Sequence, residues 1–138
     1  MDTCLFCKIS RTEEPSFIIY EDQEFISFLD IRPVFPGHSL LLPKSHIQTL
    51  YDLPENQIKS YFHLLQKIGK GIEIAMESEG TFIAINNIVS QSVPHLHTHI
   101  IPRNFKDGLK GFFWPRNPYK DEAEMKEIQQ KIIAVIDK

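Results

Sequence analysis

An α+β domain with a largely antiparallel sheet is the fold class this sequence predicts. Short aromatic and β-branched runs, separated by turn residues, fill much of its first forty-odd positions. A long stretch follows in which apolar residues recur every three or four places, and a second stretch of that kind closes the sequence. Strands, one long helix, further strands and a terminal helix are what this succession spells out.

Phe17-Ile18-Ile19-Tyr20 and Phe25-Ile26-Ser27-Phe28-Leu29 flank the turn-like Glu21-Asp22-Gln23 and predict a hairpin. Ser39-Leu40-Leu41-Leu42 is a third strand, bounded by Pro36-Gly37 before it and Pro43 after it. From Pro54 to about Glu79, the residues Ile58, Tyr61, Phe62, Leu65, Ile68, Ile72, Ala75 and Met76 mark one apolar face and predict the long helix. Pro54 suits its entry and Gly80 its exit. Thr81 to Asn86 gives the fourth strand, and the histidine run before Pro102 the fifth. A second amphipathic helix runs roughly from Asp121 to Ile136, with Met125, Ile128, Ile132 and Val135 or Ile136 inward. With no repeat, low-complexity run or linker, residues 1–138 read as a single domain.

At 138 residues, 42% hydrophobic and 24% charged, the chain has enough apolar material for one core and enough charge to stay soluble. Its net charge of -3 argues against binding nucleic acid, which needs a basic field. A small phosphate ligand needs only a few local donors and is not excluded. No stretch approaches the roughly 20 apolar residues of a membrane span, and Met1-Asp2-Thr3-Cys4 shows no signal core. Cys4 and Cys7 are too close to staple a fold, and such a pair in a reducing compartment binds metal or does redox chemistry. A cytoplasmic protein is expected.

The most informative segment is His95-Leu96-His97-Thr98-His99-Ile100-Ile101, in which three histidines occupy alternate positions. In an extended chain this puts three imidazoles on one face and Leu96, Thr98 and Ile100 on the other. Histidine titrates near pH ~6.5 and serves as nucleophile, acid, base or metal ligand. Clustered titratable groups of this kind point to a site. Gln91-Ser92 just upstream, and Asn86-Asn87 at the end of the previous strand, would add polar donors suited to phosphate oxygens.

The histidine run resembles the signature of the histidine triad (HIT) family. Leu5-Phe6-Cys7-Lys8-Ile9, Phe28-Leu29-Asp30-Ile31, Pro36-Gly37-His38, Leu42-Pro43-Lys44-Ser45-His46-Ile47 and Gln91-Ser92-Val93 also occur in the family's order. The resemblance covers roughly residues 4–103, leaving 104–138 as tail and helix, and implies a HIT-like fold with about five antiparallel strands. Thr98 stands where the family usually has an aliphatic residue, and Ser90 where it has glycine, in a loop about two residues shorter than usual; whether Asn86 or Asn87 meets phosphate stays open.

The resemblance implies a nucleotide hydrolase or transferase acting at the α-phosphate. His97 is the expected nucleophile, giving a nucleotidyl-histidine intermediate that water breaks, with His95, His99 and Ser92 beside it in the catalytic set. Ser92, Gln91, Asn86, His97 and His99 would hold phosphate, Asp30 the ribose hydroxyls, and Ile9, Phe28 and Ile31 the base. Some branches hold a structural zinc, which here would fall to Cys4, Cys7, His46 and His95. The Hint-like branch, which cleaves purine nucleoside phosphoramidates, is favoured by the Cys-x-x-Cys start and Leu29-Asp30-Ile31. The alternatives are a Fhit-like dinucleoside polyphosphate hydrolase, suggested by Ile101-Pro102-Arg103 and the aromatic tail, and a nucleotide-binding regulator with negligible turnover. A metalloenzyme with zinc on all three triad histidines is a further reading. A homodimer is expected, with the Phe112-Phe113-Trp114-Pro115-Arg116 patch either plugging the sheet or overhanging a nucleotide site. His38 and His63 read as bland.

Overall fold

The computed structural model describes residues 3–109 and 116–136. They fall into two compact units, residues 1–107 and residues 108–138.

The first unit opens with a short helix, α1 (Leu5–Ser10), whose first turn is capped by Cys4: its sulfur accepts from the Cys7 N–H. The hairpin follows as β1 (Ile18–Glu21) and β2 (Phe25–Leu29), then β3 (Ser39–Pro43). Asp22 makes the hairpin turn, its carboxylate accepting from the N–H groups of Glu24 and Phe25. A one-turn 3-10 helix (Leu50–Asp52) leads into α2 (Glu55–Ala75), and β4 (Gly80–Ile85) and β5 (Thr98–Arg103) complete the sheet. The strand order is β1-β2-β3-β5-β4, and every neighbouring pair is antiparallel.

The period of two sorts each strand between two cores. Phe25, Leu41, Leu96 and Ile100 join Tyr61, Leu64, Leu65, Ile68 and Ile72 of α2 on one side. Ile26, Phe28, Leu40 and Leu42 join Cys4, Phe6, Cys7 and Ile9 on the other. The face of α2 that is buried is therefore narrower than the sequence pattern: Ile58 and Phe62 lie outside it, and so does Met76, past the helix end. The helix stops at Ala75 instead of Glu79, because Glu77 takes a left-handed φ of 51° and the chain turns directly into β4 at Gly80. Met76 then lies against Gly37, where a side chain at the glycine would clash with the methionine and where φ is +96°.

Thr98 is fully buried on the α2 side, and its hydroxyl meets the Tyr61 hydroxyl at 2.6 Å. Tyr61 donates in turn to the Leu41 carbonyl at 2.8 Å. The polar residue in an otherwise aliphatic position is thus paired, and α2 is pinned to β3 and β5 together.

The second unit holds α3 (Glu122–Ile136), with the Asp121 carboxylate accepting from the Glu124 N–H at its start. None of its described residues is buried: Met125 and Ile132 are exposed, as are Val135 and Ile136, contrary to the inward face expected of them. Phe112 to Pro115 lie outside the described residues.

Candidate active site

Only His99 of the three alternating histidines lies within β5; His95 and His97 precede it, so the expected fifth strand begins three residues later. The alternation nonetheless survives. Leu96 and Ile100 face α2, while His97 and His99 face the α1 side, their ring centroids 5.0 Å apart.

His97 and His99 line a cavity of about 880 Å³ with Phe6, Ile9, Phe28, Asp30, Ile31 and Ser92. Seven of the residues expected around a nucleotide are therefore brought together. Leu5, Phe17 and Val93 extend the apolar wall. Phe6, which sequence reasoning did not single out, packs edge-on to His97 at 4.9 Å and to Phe28 at 5.7 Å. Ser16 lines the same cavity, and its hydroxyl oxygen is buried without a hydrogen-bond partner.

The proton on His97 can be placed. Its Nδ1 lies 2.7 Å from the His95 carbonyl, which only accepts, so Nδ1 carries the hydrogen and Nε2 the lone pair. Burial lowers the pKa of His97, against the opposing pull of that carbonyl and of Asp30, so the ring is neutral at pH 7. A neutral imidazole with a fixed tautomer is a nucleophile.

The His95 ring does not enter the cavity. It turns to Cys4 and Cys7, with Nδ1 at 3.4 and 3.5 Å from their sulfurs, while Nε2 donates to the Pro43 carbonyl at 2.7 Å. Among the catalytic set its contribution is its backbone carbonyl. Cys7 also lies 3.3 Å from His46 Nδ1, and the ligand atoms of Cys4, Cys7, His46 and His95 lie within 4.8 Å of one another. Zn–S bonds of ≈ 2.3 Å and Zn–N bonds of ≈ 2.0 Å in a tetrahedron place S and N about 3.5 Å apart. The observed separations fit. Burial lowers His95 to about 4, so its Nδ1 lone pair is free for a metal, and the Pro43 bond fixes that tautomer. Burial and the neighbouring Cys4 push the Cys7 thiol up to about 11, a preference that a bound cation reverses by favouring thiolate.

Two expected phosphate ligands are placed elsewhere. Gln91 donates its side-chain N–H to the Gln48 carbonyl at 2.7 Å, and neither it nor Asn86 lines the cavity. Asn87 accepts from the Leu50 N–H at 2.9 Å, which commits it to holding the loop. In that loop Ile88 and Ser90 have φ of 69° and 64°, the left-handed region. Ser90 thus keeps the backbone shape that a glycine would adopt freely.

His38 was missed. It is buried, with Nε2 3.0 Å from His99 Nδ1 and 3.5 Å from an Asp30 carboxylate oxygen. Asp30 also accepts from the Arg32 N–H at 2.8 Å, which orients its carboxylate at the cavity wall.

The HIT domain family matches residues 11–106. A crystal structure of a HIT family member from Bacillus subtilis is 39% identical and covers 96% of each chain with a TM-score of 0.84. The Saccharomyces cerevisiae adenosine 5'-monophosphoramidase HNT1 is 33% identical over 97% of this chain and 83% of its own. A Zn-bound histidine triad family protein from Mycobacterium smegmatis is 32% identical, covering 94% of this chain and 98% of that one, with a TM-score of 0.71. The chain belongs to the HIT domain family, as one of its enzymes.

Proposed function

We propose that the protein is a purine nucleoside phosphoramidase that works at the α-phosphate through a covalent intermediate on His97. One observation carries the reading: the His95 carbonyl, 2.7 Å from His97 Nδ1, leaves the Nε2 lone pair of a cavity-lining neutral imidazole free to attack. The base lies against Ile9, Phe28 and Ile31, and the ribose hydroxyls donate to Asp30. Ser92 and His99 face the phosphate. The Nε2 lone pair forms a bond to phosphorus as the P–N bond breaks, and the leaving nitrogen keeps that electron pair, takes a proton from water and departs as the amine. Water then cleaves the nucleotidyl–histidine bond, releasing the nucleoside monophosphate and restoring the ring. The phosphoramidase named among the relatives supports this choice of leaving group.

His97→Ala is expected to abolish turnover while AMP binding stays within about tenfold, since base and ribose contacts remain. A variant that keeps a sizeable fraction of the rate would sink the mechanism. Rates on an adenosine phosphoramidate and a diadenosine polyphosphate, measured side by side, separate this activity from dinucleotide hydrolysis.

Cys4, Cys7, His46 and His95 are the residues that would hold a zinc ion, closed by four protein ligands and so structural in its chemistry. Thiols kept reduced for this purpose suit a cytoplasmic protein. The working form we propose is a homodimer: β4 is an edge strand of the sheet among the described residues, and light scattering on purified protein should return twice the mass of one chain.

A further inference from the structure

We propose that His38 is a positioning residue that fixes which nitrogen of His99 carries the proton, and thereby holds His99 as a hydrogen-bond donor to an anionic phosphate in the cavity. The inference rests on the nucleotide reading above and adds to it the control of one phosphate contact.

Three groups in a row, the Val34 N–H, His38 and His99, fix where each proton sits. The backbone N–H of Val34 donates to His38 Nδ1 at 3.0 Å. That nitrogen must therefore hold a lone pair, and the single proton of the neutral ring sits on Nε2. His38 Nε2 is 3.0 Å from His99 Nδ1, and one hydrogen bond between two nitrogens needs one donor and one acceptor. His99 Nδ1 is the acceptor, so the proton of His99 is on its own Nε2. Burial, with His97 and His38 nearby, lowers His99 to about 4, so at pH 7 it has this one proton and no other. Burial likewise keeps His38 below its ordinary value, against the pull of Asp30.

Asp30 shows why such control is needed. Its carboxylate is 3.5 Å from His38 Nε2, and the ligand atoms of Asp30, His38 and His99 lie within 4.8 Å of one another. With His38 removed, that carboxylate becomes the acceptor for a proton on His99 Nδ1. His99 Nε2 would then present a lone pair to an anionic oxygen, which repels it. The same three side chains have the composition of a metal site, but the Val34 N–H keeps the His38 Nε2 lone pair protonated. His95 is oriented in the opposite sense, with its proton given to a carbonyl and its lone pair turned to the sulfurs.

Two variants of the full chain test the assignment, with calorimetric affinities for AMP and for adenosine and long-range 1H–15N spectra of the histidine rings. His38→Phe keeps a ring and removes both hydrogen bonds; His38→Gln returns an amide N–H near the position of Nε2. The expected result for His38→Phe is AMP weakened on the order of tenfold, the loss of a bond to a charged group, with adenosine within about twofold. His38→Gln should recover most of the AMP loss. The unaltered chain should show His99 protonated at Nε2, and His38→Phe should move that proton to Nδ1. Equal weakening of both ligands, or a native His99 protonated at Nδ1, overturns the proposal. If His38→Phe does not fold, the native spectrum and the glutamine variant decide. A native chain that binds neither ligand would defeat the nucleotide reading, while its spectrum would still decide the tautomer.

Discussion

His95, His97 and His99 are chemically identical residues two positions apart, and the group at the second nitrogen of each ring separates their roles. A carbonyl takes the Nε2 proton of His95 and the Nδ1 proton of His97, so the first offers Nδ1 to the sulfurs and the second offers Nε2 to the cavity. His99 faces His38 instead. Burial lowers His99 from 6.5 to about 4, and this has a consequence for stability. Between those values the unfolded chain binds a proton that the folded chain does not. Stability therefore rises with pH through that window and falls as pH drops from 6.5 toward 4. His95 shifts in the same direction, so His99→Gln should remove only part of the slope. Thermal melts at pH 7 and pH 5 check this: the variant should lose less in Tm between the two than the parent. Equal losses would mean that His99 does not supply the effect.

At the scale of elements, the pairing of Thr98 with Tyr61 joins the histidine-bearing strand to the long helix. Thr98→Val leaves the Tyr61 oxygen without one of its partners, and Tyr61→Phe leaves the Thr98 hydroxyl and the Leu41 carbonyl short of theirs. Each should cost about 1–3 kcal/mol, whereas replacing both by apolar groups of the same shape removes both hydroxyls and leaves only the Leu41 carbonyl short of a donor. The double variant is thus expected to be less destabilised than the sum of the singles, and urea unfolding of the four proteins measures the difference. Strict additivity would show that the two hydroxyls do not interact. The strands and the facing of Leu96, Thr98 and Ile100 were legible in the sequence because a period of two is a local signal. Helix α1 was not, since six residues are too few to show a period and its cap is a cysteine. The roles of His38 and Gln91 were equally hidden: their partners, His99 and the Gln48 carbonyl, lie 61 and 43 positions away and leave no local trace. The exposed face of α3 was misread for a related reason, as amphipathic spacing reports that a face is apolar and not what covers it.

At the scale of the molecule, the Cys4, Cys7, His46 and His95 cluster joins three distant parts of the chain. Cys4 and Cys7 carry α1, His46 follows β3, and His95 supplies the carbonyl that orients His97. Residues of α1 build the cavity wall, with Phe6 and Ile9 in the second core. A metal holding these four side chains would therefore stabilise the base pocket and the nucleophile's support without touching phosphorus. Purified protein should contain about one zinc per chain, and chelation should lower Tm by several degrees or more. Below its new melting temperature the zinc-depleted chain should retain much of its turnover, since His97 and its carbonyl remain. Its KM should rise more than its kcat falls, because the wall formed by α1 loosens before the reacting groups do. Complete loss of activity in a chain that remains folded would make the zinc catalytic. Undiminished stability after chelation would leave Cys4 and Cys7 as buried thiols with no ion to hold. Cys4→Ser/Cys7→Ser, assayed for bound metal, gives the independent check: retention of zinc would move the ion to other ligands, and its loss together with a lowered Tm is the outcome this arrangement of side chains requires.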